Sequence, residues 1–289
     1  LVFTPHALRL TLMEPEPEGP QPEPEPEPDT DDVRADEVED DGLGFLREQD
    51  VEHSDAPEDI VGRGASGIVR KGRLRLRSGR KINVAIKELA PGATPGEVGV
   101  FKKEFETHWK ASRTCSRAAK LYGCVYKQRS LCLVMKLYVN SLYGYLDARR
   151  DPQDDRVRLP LAREQALNWL FQIAEALVQL HQQNIVVKDL KPANVLIDQT
   201  GELVIADYGL AEIADRSILS RSTMNPGGTP AYMAPEQYDS SGITTKTDLW
   251  AFGCIVIEIL TGRGPWPGLK QPEIMMNLLM KRQTPIPSG

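Results

Sequence analysis

The run Asp189-Leu190-Lys191-Pro192-Ala193-Asn194 places a carboxylate, a cation and a side-chain amide within one short stretch. Phosphoryl transfer calls for such a set: an acceptor for the hydrogen of the attacking hydroxyl, a positive charge on the moving phosphoryl group, and an oxygen ligand for magnesium. A second carboxylate opens Asp207-Tyr208-Gly209, directly after the apolar run Leu203-Val204-Ile205-Ala206. A lone Asp at the end of a strand is a hard-oxygen site suited to Mg2+, and the glycine permits a sharp turn. Upstream, Lys87 ends Val84-Ala85-Ile86-Lys87, 20 residues after Gly67. Apolar neighbours there would bury the lysine stem and leave the ammonium near an anion. Before it comes Gly62-Arg63-Gly64-Ala65-Ser66-Gly67-Ile68-Val69, whose glycines let a strand-turn-strand unit fold closely over phosphates. It opens a strand pair and not a strand-to-helix unit, which disfavours a dinucleotide fold. The stretch after Lys87 offers two carboxylates able to pair with it, Glu104 and Glu106, and Glu104 is preferred.

These groups need elements to hold them. Residues 66–76 and 81–89 read as two strands around the turn Ser78-Gly79-Arg80, 97–110 as a helix, and 120–126 and 130–138 as two further strands. After Asn140 the pattern turns helical. The strongest helix is 162–181, with Ala166, Leu167, Leu170, Ile173, Ala174, Leu177 and Leu180 on one face. Short strands are expected at 185–187, 194–198 and 203–206, a polar stretch at 215–230, and helices at about 247–261 and 271–281. Gly228-Thr229-Pro230-Ala231-Tyr232-Met233-Ala234-Pro235-Glu236 and, twelve residues on, Asp248-Leu249-Trp250-Ala251-Phe252-Gly253 read as braces for a segment that would hold a peptide.

The net charge of −6 hides an asymmetry. Positions 1–59 carry 20 acidic and 3 basic residues, a balance of −17, and the remainder carries 21 acidic and 32 basic, a balance of +11. Residues 14–28 alternate Glu and Pro, a composition that stays extended and solvated, so 1–58 is expected to be a disordered acidic tail with order beginning near Ile60. A short, partly apolar island, Leu43–Leu46, interrupts it. A tail folding back on the basic body is the functional alternative. That body suits phosphate-bearing ligands, and without aromatic-basic interleaving no nucleic-acid partner is expected. Cys115, Cys124, Cys132 and Cys254 form no C-x-x-C pair, which favours a reduced, cytoplasmic setting, with Cys254 in the core. The longest apolar stretch, Leu249–Leu260, is too short to span a bilayer and contains Glu258, so no membrane partner is expected. The chain opens on Leu1, and Met13 is a candidate start.

Taken in order from about Ile60, these motifs resemble the eukaryotic protein kinase superfamily. The resemblance implies an α+β bilobal fold: a small five-stranded N-lobe with one helix (59–138) and a larger, mainly helical C-lobe (139–289), with ATP in the cleft. It implies that Gly62, Gly64, Gly67 and Val69 cover the nucleotide, and that Ala85 and Leu196 sandwich the adenine with Val69. Lys87, paired with Glu104, would hold the α- and β-phosphates. The hinge would fall at Lys136-Leu137-Tyr138 after a gatekeeper Met135. Asp189 would accept the hydrogen bond of the substrate hydroxyl, Lys191 would touch the γ-phosphate, and Asn194 and Asp207 would bind Mg2+. The Leu-Lys-Pro-x-Asn form is similar to the serine/threonine branch, and the wording resembles the tyrosine-kinase-like group with its plant-type members. The implied partners are ATP and a protein substrate, in intracellular signalling, and the chain would serve alone or as the kinase region of a larger multidomain protein.

Four departures stand out. Val187-Lys188-Asp189 replaces the family's His-Arg-Asp; Lys188 keeps the positive charge but cannot clamp a phosphorylated loop bidentately, the candidate loop sites being Ser217, Ser220, Ser222, Thr223 and Thr229. Tyr208 replaces the usual Phe, and Lys136 the usual hinge Glu. The chain stops soon after 271–281, where the resemblance implies further helices, so an incomplete domain is expected. The reading is an ATP- and Mg2+-dependent protein serine/threonine kinase. The alternative is a pseudokinase that binds nucleotide or partners without turnover.

Overall fold

Alternating apolar and charged residues between 67 and 88 build the centre of an antiparallel sheet. The computed structural model describes residues 33, 37–40, 44–53, 56–64, 67–88, 95–127, 130–151, 158–159, 161–207, 229–239 and 242–286. The chain divides into two compact units, Leu1–Val33 and Arg34–Gly289. The expected Glu/Pro-rich tail from 14 to 28 lies outside the described residues, as do Ala65 and Ser66, Tyr208 and the candidate phosphorylation sites at 217–223.

In the second unit, strands β1 (Val51–His53), β2 (Ile60–Gly64), β3 (Gly67–Arg75), β4 (Lys81–Glu88), β5 (Leu121–Lys127) and β6 (Ser130–Lys136) form one sheet. The order is β1-β3-β4-β6-β5, with β2 also on β3. Ala85 lies opposite Met135, and Lys87 lies between Val69 and Leu133, so Val69, Ala85, Lys87 and Met135 share one face. Helix α1 (Pro95–Thr114) packs Phe101 and Phe105 on Leu121, Cys124 and Leu133.

Five of these strands were expected; β1 is a sixth. Order therefore begins before Ile60, and the expectation of disorder up to residue 58 does not hold for 37–40, 44–53 and 56–58. Val38, Leu46 and Val51 are buried, and Val51–His53 pair with β3. The carboxylates around them meet basic side chains of the β3–β4 ribbon: Glu52 lies 2.8 Å from Lys81 and Glu37 lies 3.6 Å from Arg80. Composition alone marked this stretch as solvated because its charge complement lies far off in sequence.

The larger lobe begins with β7 (Asn140–Ser141) and α2 (Leu142–Asp147), capped by the Ser141 hydroxyl. Helix α3 (Arg163–Gln182) runs through its core, burying Ala166, Trp169, Ile173, Ala176, Leu177 and Leu180. Leu167, expected on that face, is exposed, and Trp169 and Gln172 are buried instead. Trp169 donates to the Gly201 carbonyl at 3.1 Å, and Gln172 accepts from Leu203 N at 2.7 Å, so polar bonds turn the helix away from the purely apolar stripe. Strands β8 (Val195–Ile197) and β9 (Leu203–Ile205) complete a three-stranded sheet with β7. The expected strand 185–187 does not form. Ile185 N bonds the Leu180 carbonyl and Val187 N bonds the Asp248 carboxylate, so these two N–H groups are taken by partners other than a neighbouring strand.

Beyond a 3-10 turn at Thr229–Tyr232 come α4 (Pro235–Asp239), α5 (Thr245–Thr261) and α6 (Gln271–Met275), the last passing into a π turn, Met276–Met280, where a single helix over 271–281 was expected. Helix α5 buries Cys254, and all four cysteines are buried and free. It also buries Glu258, whose carboxylate takes Arg158 at 2.7 Å and the Tyr232 hydroxyl. Among the described residues, no helix is long and apolar enough to cross a membrane.

Candidate active site

Three segments converge on Lys87. Its stem lies in β4, where apolar flanks bury it to 5% exposure. Its Nζ donates to Glu104 Oε1 at 2.7 Å and to Asp207 Oδ1 at 2.8 Å. Glu104, on α1, is 4% exposed, whereas Glu106 points outward and meets Lys102 at 3.8 Å, so the pairing falls to Glu104 of the two candidates. Burial pushes the Lys87 ammonium toward its neutral form, but the charges of Asp207 and Glu104 outweigh it and hold its pKa above the ordinary lysine value. Burial raises Glu104, with Lys87 pulling back. Asp207 is held below the usual carboxylate range: burial acts against ionisation, and the Lys87 charge and hydrogen bond overcome it.

The loop after α3 carries Asp189, Lys191 and Asn194 around a 3-10 turn at Pro192–Asn194. Lys191 Nζ lies 2.5 Å from Asp189 Oδ2. Asn194 Nδ2 donates to the Asp189 carbonyl at 2.9 Å and to Oδ2 at 3.3 Å, so its Oδ1 is the end able to meet a cation. Burial raises the Asp189 pKa, while Lys191 opposes it. Ala206 N bonds the Asn194 carbonyl at 2.9 Å, which sets Asp207 beside this loop.

Asp248 explains how the loop survives without the usual His and Arg. The carboxylate is buried and accepts from Val187 N and Lys188 N, both at 2.9 Å, and it bonds His181 Nε2 at 2.7 Å. Lys188 has φ +67, a strained value for a residue with a Cβ, and the two bonds fix that backbone. Val187 itself packs in the core. The Asp248 segment thus braces the Asp189–Asn194 loop. Gln237 makes the link outward, donating to the Lys188 carbonyl at 2.9 Å, and Glu236 accepts from Thr247 Oγ1 at 2.9 Å. Asp248→Ala strips acceptors from two main-chain N–H groups, one of them on buried Val187. It is expected to cost about 2 kcal/mol, read by urea unfolding.

Two positioning groups carried no signal in the sequence. His108, on α1 one turn past Glu104, bonds the Ala119 carbonyl through Nε2 at 2.9 Å, and Ala119 N bonds the Ile205 carbonyl at 2.8 Å. Arg117 meets Glu175 at 2.8 Å and Glu202 at 2.5 Å, and its carbonyl accepts from Ile205 N. Together they tie the end of α1 to the strand that leads into Asp207. Both act through folded contacts between distant segments, so spacing could not reveal them.

The remaining predicted positions line up along the sheet and β8. Gly62 lies opposite Val69, and Gly64 opposite Gly67. Met135 packs on the α1 cluster, and Lys136 Nζ lies 5.8 Å from the Tyr138 ring centre. The Tyr138 hydroxyl accepts from Lys120 N at 2.9 Å, and its ring and Leu196 pack on Ala119, Val204 and Ala206.

A small antiparallel sheet with one long helix, a larger helical lobe, and a lysine, two carboxylates and an Asp-Lys-Asn loop between them define a bilobal α+β domain of protein kinase type. The chain matches the family described as Protein kinase domain over residues 56–287 and belongs to it. It is similar to the E3 ubiquitin-protein ligase KEG of Arabidopsis thaliana, 29% identical over 226 residues that cover 71% of this chain and 13% of that protein. It is similar as well to Cell division control protein 7 of Schizosaccharomyces pombe, 28% identical over 80% of this chain and 20% of the relative. With the serine/threonine-protein kinase PkaA of Streptomyces coelicolor it shares 33% identity over 75% of this chain and 40% of the relative. The chain thus spans less than half the length of each of these relatives.

Proposed function

We propose that this chain is an active protein serine/threonine kinase, transferring the γ-phosphate of ATP with Mg2+ to Ser or Thr hydroxyls of protein substrates in cytoplasmic signalling. The observation that carries this reading is Lys87 held between Glu104 and Asp207, one carboxylate from each lobe. A lysine so paired stays charged and serves as a fixed cation for phosphate oxygens. Asp207, kept ionised, and the Oδ1 of Asn194 are two hard-oxygen donors. They fit an ion such as Mg2+ that keeps its waters and takes further ligands from phosphates. Among the described residues, a Cβ built at Gly62 would meet no atom within 4 Å, leaving that backbone open to close approach by a phosphate.

ATP supplies the phosphoryl group and Mg2+ neutralises its charge when bound; this chain's residues do the positioning. Asp189 would accept the hydrogen bond of the attacking hydroxyl and aim its oxygen at phosphorus. Lys191, already at Asp189, would meet the negative oxygens of the phosphoryl group as it moves. The serine/threonine assignment rests on Lys191 in the Leu-Lys-Pro-x-Asn loop and on the names of relatives such as the serine/threonine-protein kinase PkaA. A place as the kinase region of a longer signalling protein belongs to the same proposal.

The test is phosphate incorporation from γ-labelled ATP into a generic acceptor protein, followed by phosphoamino-acid analysis. Label on serine or threonine that requires Mg2+ and disappears with a chelator is expected. Nucleotide binding with no incorporation would replace this reading with that of a non-catalytic binding module.

A further inference from the structure

Glu104 can hold Lys87 only while α1 lies against the sheet. One side of that helix packs Phe101 and Phe105 on Leu121, Cys124 and Leu133. A second surface, formed by Phe105 and Trp109, is met by Gly44–Leu46, which precede the residues matched to the kinase family. Cys124 N bonds the Gly44 carbonyl and Leu46 N bonds the Cys124 carbonyl, both at 2.8 Å, and Phe45 pairs in parallel with Cys124. The approach is close enough to require glycine on both sides. Gly44 has φ +91, and a Cβ there would come within 2.8 Å of the Phe105 and Trp109 rings. Gly123 has φ +156, and a Cβ there would fall 2.5 Å from the Gly44 carbonyl oxygen. The Phe45 ring lies 6.1 Å from Phe105, which stacks on Trp109 at 5.5 Å. Arg113 lies 3.7 Å over the Trp109 ring and 3.9 Å from Asp40. Further along, Lys127 Nζ donates to the Val51 carbonyl at 2.5 Å, and β1 continues the attachment on β3.

We propose that Gly44–Leu46, anchored by β1, is a positioning element of the active site: it clamps α1 through Phe105 and Trp109 and so keeps Glu104 on Lys87. The inference rests on the phosphotransfer reading above and adds a segment outside the family match to its machinery. Phe105 adjoins Glu104 in sequence, so a helix that swings or turns to release Phe105 carries Glu104 away from a 2.7 Å contact. Without the clamp the Phe105 and Trp109 rings would gain water contact, and the helix would keep only its sheet-facing side. The acidic residues around it serve the same end, since Asp40 and Glu52 lie on Arg113 and Lys81.

The test uses the full chain carrying Gly44→Val, Phe45→Ala or Phe45→Leu. It measures kcat and KM for phosphate transfer together with amide hydrogen exchange. Gly44→Val is expected to lower kcat at least about tenfold with KM for ATP within about twofold, because misplacement of one catalytic group acts on the transition state more than on binding. Exchange should quicken across 101–114 and stay slow across α3. Phe45→Ala should act the same way more weakly, and Phe45→Leu should restore both readouts. Unchanged exchange in 101–114, or a loss of protection shared equally by α3, would overturn the clamp. An inactive wild-type chain would count against the phosphotransfer reading alone, because the exchange comparison reads the clamp without turnover.

Discussion

Asp207→Asn is expected to lower phosphate incorporation by at least about 10³-fold while the protein stays folded. Asn keeps the volume of Asp and tolerates the left-handed backbone at this position, φ +57, where Ala would add strain. What it removes is the charge. Asp207 supplies one of the two carboxylates on Lys87 and is the anionic member of the proposed Mg2+ pair, so the cation loses its charged ligand and the lysine one of its two carboxylates. Lys87 retains Glu104 at 2.7 Å, and that remaining pair keeps its ammonium compensated. The melting temperature should therefore shift by only a few degrees. The comparison is an incorporation assay beside a thermal melt. Equal labelling by wild type and variant would mean that the transfer does not come from this site.

Acidification is expected to reach the same machinery through His108. Burial pushes this imidazole down to about 4, against the hydrogen bond to Ala119 and the charge of Asp207 and with the charge of Lys87. In the unfolded chain a histidine takes its proton near pH 6.5, so between that value and about 4 the unfolded state binds a proton that the folded state does not. Stability from this group is complete above about pH 6.5 and falls as the pH drops through that window, a loss of about 3 kcal/mol by pH 4. His108→Gln preserves a donor able to reach the Ala119 carbonyl and removes the titration. Urea unfolding at a series of pH values should show a steeper decline for wild type than for the variant. Parallel profiles would show that His108 does not titrate on unfolding.

Local order in the sequence carried much of the site. A lysine inside an apolar strand, a glycine hairpin before it and an Asp-x-Lys-x-x-Asn loop are each encoded within a few residues, so β4, β2–β3 and the catalytic loop were legible. Helical spacing between Glu104 and Glu106 puts them on different sides, but only the packed helix shows which side faces Lys87. Secondary structure failed where a tertiary partner took over the backbone. Val186 and Val187 look like a strand, yet the Asp248 carboxylate holds the N–H groups of Val187 and Lys188 in its place. Leu167 fits the apolar stripe of α3, yet polar bonds from Trp169 and Gln172 turn that helix and leave it exposed.

By itself, then, the sequence determined which groups could move a phosphoryl group and the order in which they come. That information is local: a motif is a few neighbouring residues whose chemistry does not depend on the rest of the chain. The tertiary structure alone decided that Glu104 and Asp207 close on one ammonium. It also decided that His108 and Arg117 bind α1 to the Asp207 strand, and that an acidic stretch with the composition of a solvated tail packs through Gly44, Leu46 and Val51. Those outcomes depend on charge and shape complements supplied from up to 120 residues away, and composition or period along the chain cannot register a partner at that distance.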